Sequence, residues 1–399
     1  MARIKRSPRS SESRHSRNRV PSPARQERTG TANSAPKHQP RKSPQPAKRA
    51  PGDAKPHTGK PASSAAPGWL LRCAPGLAKT LVTELRFNTL IDRRTKPTLL
   101  WQRNHDLVFL PRLQREPKPG DLRIAEEVHR CPVYGRYKIS HHQLDVMAAA
   151  LTAQKKSWHL VVSVDGTRFN RHELARWLAR ELQQRRAPLD EQSSRLASLF
   201  CVEDAYYFCL PFRMAEDAAL RKHRVAEREG SLPPTIAAAM AFLANPRDAD
   251  TVLDPVCGSG TLLAEIHAYA PGAALAGIDL DRHAIAAARR NLAHLPQVQL
   301  SVGDGRSTGL PDGSMTLFLA NLPFGKQFGS RPENRQLYPD ILRELVRLGR
   351  PGDWRAILLT SDIEALQAAV AATPGIGIAA KNQVKIRGEA AVIATVRPV

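Results

Sequence analysis

Asn321-Leu322-Pro323-Phe324-Gly325 closes an apolar run that begins at Met315. Such a run reads as a buried strand, and the string after it as the loop that leaves the strand. A loop of this kind holds one side-chain amide and nearby backbone carbonyls at fixed positions over a cleft. That set of acceptors suits a planar amino group, whose two N–H bonds need two acceptors. Two other stretches could deliver a co-reactant. Asp254-Pro255-Val256-Cys257-Gly258-Ser259-Gly260-Thr261 joins a short apolar run to a helical pattern. Gly258 and Gly260 remove Cβ atoms that would obstruct close backbone approach. Asp279 lies 25 residues past Asp254, at the end of the next apolar run. A carboxylate there can accept from both hydroxyls of a ribose. Asp304 ends the third run, where it could take the exocyclic amine of an adenine. Leu263 stands where GxGxxG would have its third glycine, which tilts against a pyrophosphate ligand. The glycines and the acid alone leave NAD open.

These residues need a frame, and the pattern supplies one. From Thr251 onward strand and helix alternate. Strands are expected over 251–254, 274–279, 298–303, 315–321 and 355–360. Helices are expected from 261 to 270, over 282–294, 338–348 and 363–371. Val384–Arg387 and Ala391–Val396 look like a closing hairpin. That order implies a Rossmann-like α/β domain, with a doubly wound, mostly parallel sheet and an antiparallel hairpin. Upstream, Trp69–Ala74, a helical pattern from Gly76 to Phe87, Thr98–Gln102 and Leu107–Pro111 suggest a small α+β unit. Arg123–Val133 and Gln143–Ala153 read as helical or mixed. His159–Val164 is a strand, Arg171–Arg186 a helix and Ala205–Phe212 another strand. The 171–186 helix puts Leu174, Trp177, Leu178 and Leu182 on one face and Arg176, Arg180, Arg185 and Arg186 on the other. A helix opens at Leu232-Pro-Pro-Thr-Ile236 and runs to about Ala244.

The chain has 399 residues and a formal charge of +23. Residues 1–66 hold 16 Lys and Arg against 3 Asp and Glu, hence +13, and the remainder holds 44 against 34, hence +10. Both parts are basic, which favours a polyanion partner, nucleic acid first. In residues 1–66 only Met1, Ile4 and Val20 are large and apolar. Such a tail cannot bury enough surface to offset its ordering and is expected to be disordered. The five cysteines form no CxxC pair and have no His at ligand spacing, so reduced, buried thiols and no metal site are expected. There is no 18-residue apolar run, hence no expected membrane span. The N-terminus lacks the apolar segment of a secretory signal, and a cytoplasmic protein is expected; an Arg- and Ser-rich transit peptide is the lesser alternative.

Three stretches together carry a resemblance. Asn321-Leu-Pro-Phe324 resembles the (D/N)-P-P-(F/Y/W) signature of S-adenosylmethionine-dependent amino-group methyltransferases. Asp254–Thr261 looks like their methionine-binding loop, and Gly277-Ile-Asp279 like their ribose acid. His223-Arg224 and Gly230–Ala239, ahead of the loop, narrow the likeness to the THUMP-containing RNA guanine-N2 methyltransferases. Arg168-Phe-Asn-Arg-His172 with its flanking strand and helix resembles a THUMP domain. Trp69–Leu85, with Ala74-Pro-Gly-Leu77, resembles the ferredoxin-like start of that family. The likeness implies a basic tail over 1–66, a ferredoxin-like domain over 67–125, a THUMP-like RNA-binding domain over 126–215 and a Rossmann-like methyltransferase domain over 216–399. It implies S-adenosyl-L-methionine as cofactor and tRNA as the leading partner. The implied cofactor residues are Asp254, Cys257, Gly258, Gly260, Thr261, Asp279, Leu280, Asp304 and Gly305. Asn321, Leu322, Pro323 and Phe324 are the implied catalytic loop, and Arg168, Arg171, Arg176 and Arg180 candidate RNA contacts. Leu322 departs from the family's first proline; the carbonyl that the chemistry needs is unaffected. Methylation of rRNA guanine or of an adenine N6 is the alternative chemistry, and a non-catalytic RNA-binding protein the alternative class.

Overall fold

The structure, a computed structural model, describes residues 67–102, 104–166, 170–212, 231–325 and 330–399. The basic tail, Arg168 and the 223–230 part of the motif lie outside the described residues.

The first sheet has seven strands in the order β2-β3-β1-β4-β7-β6-β5. They are β1 (Gly68–Cys73), β2 (Thr98–Trp101), β3 (Asp106–Leu110), β4 (Glu127–Arg136), β5 (His159–Asp165), β6 (Leu196–Val202) and β7 (Ala205–Pro211). Helices α1 (Ala78–Phe87), α2 (His141–Thr152) and α3 (Arg171–Gln184) lie between them in sequence. β4 pairs with β1 on one side and β7 on the other, so the stretches 67–125 and 126–215 share one continuous sheet. β4 takes up most of the 123–133 stretch that reads as helical or mixed, and it contains Pro132 and Gly135. Its register to β7 shifts between Arg130 and Val133, which sets Pro132 at a bulge, the place in a sheet interior that tolerates proline. Beside that bulge Cys131 and Cys209 are joined as a disulfide, contrary to the expectation of reduced thiols throughout. Cys73, Cys201 and Cys257 are free and buried.

The second sheet has the order β10-β9-β8-β11-β12-β14-β13. It comprises β8 (Thr251–Asp254), β9 (Ala274–Asp279), β10 (Gln299–Val302), β11 (Leu317–Asn321), β12 (Arg355–Thr360), β13 (Ile376–Ile386) and β14 (Glu389–Pro398). The first five are parallel and the last two antiparallel, as expected from the pattern. α4 (Pro234–Ala244), α5 (Thr261–Tyr269), α6 (Arg282–Asn291), α7 (Arg331–Leu348) and α8 (Ile363–Ala372) complete the domain. The strand order reverses between β8 and β11, so a crevice opens at their carboxyl ends. α7 begins seven residues before the expected 338. Ser330 accepts from the Glu333 N–H and the Glu333 side chain accepts from the Ser330 N–H, a capping box that starts the helix ahead of Pro339. Pro339 sits inside the helix.

One apolar core serves both sheets, with Leu81 and Leu85 of α1 in the same cluster as Ile236 and Met240 of α4. A buried polar network crosses the same boundary. Glu84, fully buried, accepts from the Arg123 and Ile124 N–H groups at 3.0 and 3.2 Å and from the Tyr269 hydroxyl at 2.8 Å. Arg123 Nε donates to Glu265 Oε2 at 2.8 Å. Burial dominates and pushes the Glu84 carboxyl up to about 7 from 4.5, although its three hydrogen bonds and Arg123 pull the other way. Between those values the native state holds a proton that the unfolded chain releases. Stability therefore falls as pH rises through that window. Glu84→Gln should flatten this slope, measured as urea midpoints at both ends of the window. An unchanged slope would assign it to another group.

Candidate active site

β8 and β11 are parallel neighbours, with Leu317 beside Val252 and Phe318 beside Leu253. Their ends carry Asp254 and Asn321 to the crevice. The crevice is a cleft of about 700 Å³ lined by the three loops singled out above. Asp254, Cys257, Gly258, Thr261, Asp279, Leu280, Asp304, Gly305 and all of Asn321–Phe324 line it. Gly260 does not. A Cβ there would meet Leu292 Cδ1 at 2.7 Å, so this glycine serves the packing of α5 against the chain after α6. Gly258, at φ +54°, has open space where its Cβ would be and is the glycine that keeps the cleft clear. Of the two glycines singled out in the sequence, Gly258 borders the cleft and Gly260 packs against Leu292.

The acids differ by environment. Asp279 Oδ2 accepts from the Gly258 N–H at 2.8 Å and Oδ1 from the Asp281 N–H at 2.9 Å. It thereby ties the glycine loop to the end of β9 and keeps further lone pairs for a ligand. Asp254 is buried, with Val256 N–H at 3.2 Å from Oδ1. Burial lifts its carboxyl well above the usual range, the charge of Asp279 adds to the lift, and the Val256 N–H opposes it. Asp304 is held low, first by the hydrogen bonds from Arg306, which engage both carboxylate oxygens at 2.6 to 3.0 Å. Burial pushes the Cys257 thiol far up, which leaves it a neutral wall rather than a nucleophile.

Asn321 Oδ1 is buried and accepts no hydrogen bond among the described residues. The loop behind it is pinned. Leu322 N–H donates to Leu359 O at 3.0 Å. The Pro323 carbonyl can only accept, so the Tyr338 hydroxyl at 2.6 Å donates to it. Thr360 then donates to Tyr338 at 2.7 Å and accepts from the Asp362 N–H at 2.8 Å. Gly325, at φ +72°, closes the turn where a Cβ would meet Arg331 N at 2.7 Å. Sequence reasoning missed Tyr338, which looks like one more apolar position of α7. It also missed Arg306 and the wall made by Ile386, Arg387 and Glu389 at the tip of the β13–β14 hairpin. Arg171, Arg176 and Arg180 are exposed on α3 and do not line the cleft. Arg185, from the same arginine face, is spent on Asp145 and Glu181. Among the described residues no group of His, Cys, Asp and Glu could hold a metal ion, and no helix is long and apolar enough to cross a membrane.

Residues 221–391 match the family model described as RMKL-like, methyltransferase domain. This part of the chain is thus similar to a methyltransferase domain of that family. Over 169 residues the chain is 32% identical to the tRNA (guanine(6)-N(2))-methyltransferase THUMP3 of Mus musculus, covering 37% of this chain and 32% of that protein. It is 32% identical over 154 residues to the tRNA (guanine(6)-N2)-methyltransferase of Thermus thermophilus, covering 38% and 46%. A U6 snRNA (guanine-N(2))-methyltransferase, THUMPD2 of Bos taurus, is 31% identical over 141 residues, covering 34% and 27%. These matches thus span a third to a half of the curated relatives or less. The crystal structure of TrmN from Thermus thermophilus shares the fold over 83% of this chain and 100% of that one, with a TM-score of 0.66 at 22% identity. The shared fold thus extends beyond residues 221–391.

Tyr338→Phe removes the hydroxyl that donates to the half-buried Pro323 carbonyl. We expect a loss of about 1 kcal/mol in stability and faster amide exchange at Leu322 and Phe324. Unchanged exchange at both amides would show that the relay does not hold the loop.

Proposed function

We propose that the chain transfers a methyl group from S-adenosyl-L-methionine to the exocyclic N2 of a guanosine in structured RNA, tRNA before others. The observation that carries this reading is the buried, unpartnered Asn321 Oδ1 at the end of β11, beside the cradle of Asp254, Gly258 and Asp279. The relatives named as guanine-N2 methyltransferases support the choice of base and of RNA.

The cleft fits the cofactor by its chemistry. Asp254 and Asp279 accept from backbone N–H groups and from no cationic side chain among the described residues, and burial disfavours a charged Asp254. A ligand with an ammonium and a sulfonium supplies positive charge to that acidic wall, and its ribose hydroxyls suit the free lone pairs of Asp279. Gly258 leaves room for the ligand, and Cys257 and Leu280 offer apolar walls. Asp304 would take an adenine amine by sharing its oxygens with Arg306. The cofactor contributes an electrophilic methyl group on sulfur.

The protein's own work is on the nitrogen. The guanine N2 lone pair is delocalised into the ring, so the nitrogen is a weak nucleophile. Asn321 Oδ1 would accept one N–H and the Leu322 carbonyl the other, which turns the lone pair toward the methyl group. Phe324 would stack on a base turned out of its helix. Asn321 is neutral and no general base; the nitrogen acidifies only after it is methylated. Positioning is then the main contribution, an effect worth up to about 7–11 kcal/mol. Upstream, the exposed Arg171, Arg176 and Arg180 would contact RNA phosphates, in the THUMP-like region 126–215.

The test is labelled methyl transfer to bulk tRNA and to rRNA, followed by digestion to nucleosides. N2-methylguanosine in tRNA is expected. Asn321→Ala should lower turnover on the order of a hundredfold or more with cofactor affinity unchanged. N6-methyladenosine would overturn the choice of base, and full turnover in the variant would overturn the role of Asn321.

A further inference from the structure

The wall facing the reaction loop is built in an unusual way. β13 and β14 join through the two residues Arg387 and Gly388, with Ile386 opposite Glu389. Both turn residues have positive φ, +50° for Arg387 and +88° for Gly388. That is the signature of a type I′ hairpin turn, whose first central position favours Asn, Asp or Gly. An arginine there is strained, since its Cβ crowds the backbone. Of the seven described non-glycine residues at positive φ, Arg387 is the one that lines the cleft, and strain at a ligand site points to a use of the side chain. Arg387 lines the same cleft as Asn321–Phe324, is exposed, and has no ion pair or hydrogen bond among the described residues. The turn itself is held rigidly. Lys385 N–H donates to the Pro75 carbonyl at 3.0 Å, and Gly76 packs so close that a Cβ would lie 1.9 Å from Gln383 O.

We propose that Arg387 is a specificity-determining residue that donates to O6 and N7 of the target guanine. The inference rests on the function proposed above and deepens it. Asn321 and Leu322 can hold any exocyclic amine, so the reaction loop alone does not distinguish guanine from a purine with a second amine. The O6/N7 edge lies across the ring from N2, and a guanidinium matches its two acceptors with a bidentate pair. A purine with an amine at position 6 would set a donor against a donor.

The experiment uses tRNA joined by ligation so that the methylated nucleotide, mapped by the transfer assay, is guanosine or 2,6-diaminopurine riboside. The second base keeps the N2 amine and replaces O6 by an amine. The wild-type chain should prefer guanosine in kcat/KM on the order of tenfold to a hundredfold. Arg387→Gly should bring that ratio close to unity, through loss on guanosine. Because glycine relieves the turn, its thermal midpoint should equal or exceed wild type, which separates lost recognition from lost folding. Arg387→Lys should lose most of the preference, since an ammonium cannot form the pair. A preference unchanged in Arg387→Gly overturns the proposal. Equal losses on both bases, with a shallower salt dependence of tRNA binding, overturn it in favour of a phosphate contact. A wild-type chain that methylates no guanosine overturns the function itself and this inference with it.

Discussion

A buried hydrogen-bond acceptor without a donor costs about 1–3 kcal/mol, and among the described residues Asn321 Oδ1 finds no donor. Left alone, the chain would relieve it by a small movement of the loop. The surroundings prevent that movement. β11 lies between two parallel neighbours, and the next amide is committed to Leu359. Pro323 is tied through Tyr338 and Thr360 to the start of α8. Gly325 turns the chain where no side chain would fit. Most of the domain's apolar packing therefore has a consequence at one oxygen atom, which stays ready for a donor from outside.

The opposite wall follows the same logic with charge. Asp279 orders the glycine loop by accepting its Gly258 amide, so the ligand cradle is formed before a ligand is present. Asp254 sits deeper, where desolvation disfavours its charged form and Asp279 disfavours it further. A cleft carboxyl such as Asp254, raised by burial and by a neighbouring carboxylate, is a feature of functional sites rather than of tight turns alone. Both walls are thus prepared by hydrogen bonds and burial, which reduces the reorganisation left for binding.

Much of this was legible in the sequence, and the reason is local. Asp254, Asp279, Asp304 and Asn321 each end an apolar run, and in a parallel sheet strand ends converge on one crevice. Loops far apart in the chain could be assigned to one site from the alternation of strand and helix, the glycine loop and the resemblance of the Asn321–Phe324 string. The misses are of another kind. Tyr338 matters through a hydroxyl whose partner lies fifteen residues away, and no periodicity reports that bond. Gly260 matched the glycine pattern, yet its neighbour is Leu292, a tertiary contact. β4 hid its strand behind Pro132 because the bulge that accommodates proline exists only once β7 is paired. The Cys131–Cys209 pair rests on the same register.

Arg387 belongs with these. In sequence, Arg387-Gly388 is an ordinary turn beside a terminal strand, and its importance depends on which way the hairpin tip points. That direction is fixed by residues near the beginning of the described chain. Asp106 accepts from the Gly76 N–H at 2.8 Å, Pro75 accepts from Lys385, and the absence of a side chain at Gly76 lets the two backbones meet. The upstream sheet is therefore more than an appended module, because it also sets one wall of the methyltransferase cleft. Natural sequences are locally consistent nearly everywhere, and departures from that consistency gather where function requires them. Asn321 Oδ1 has no donor among the described residues, and Arg387 sits in a backbone region that suits glycine. Both line a single cleft, and the proposed purine between them would use both.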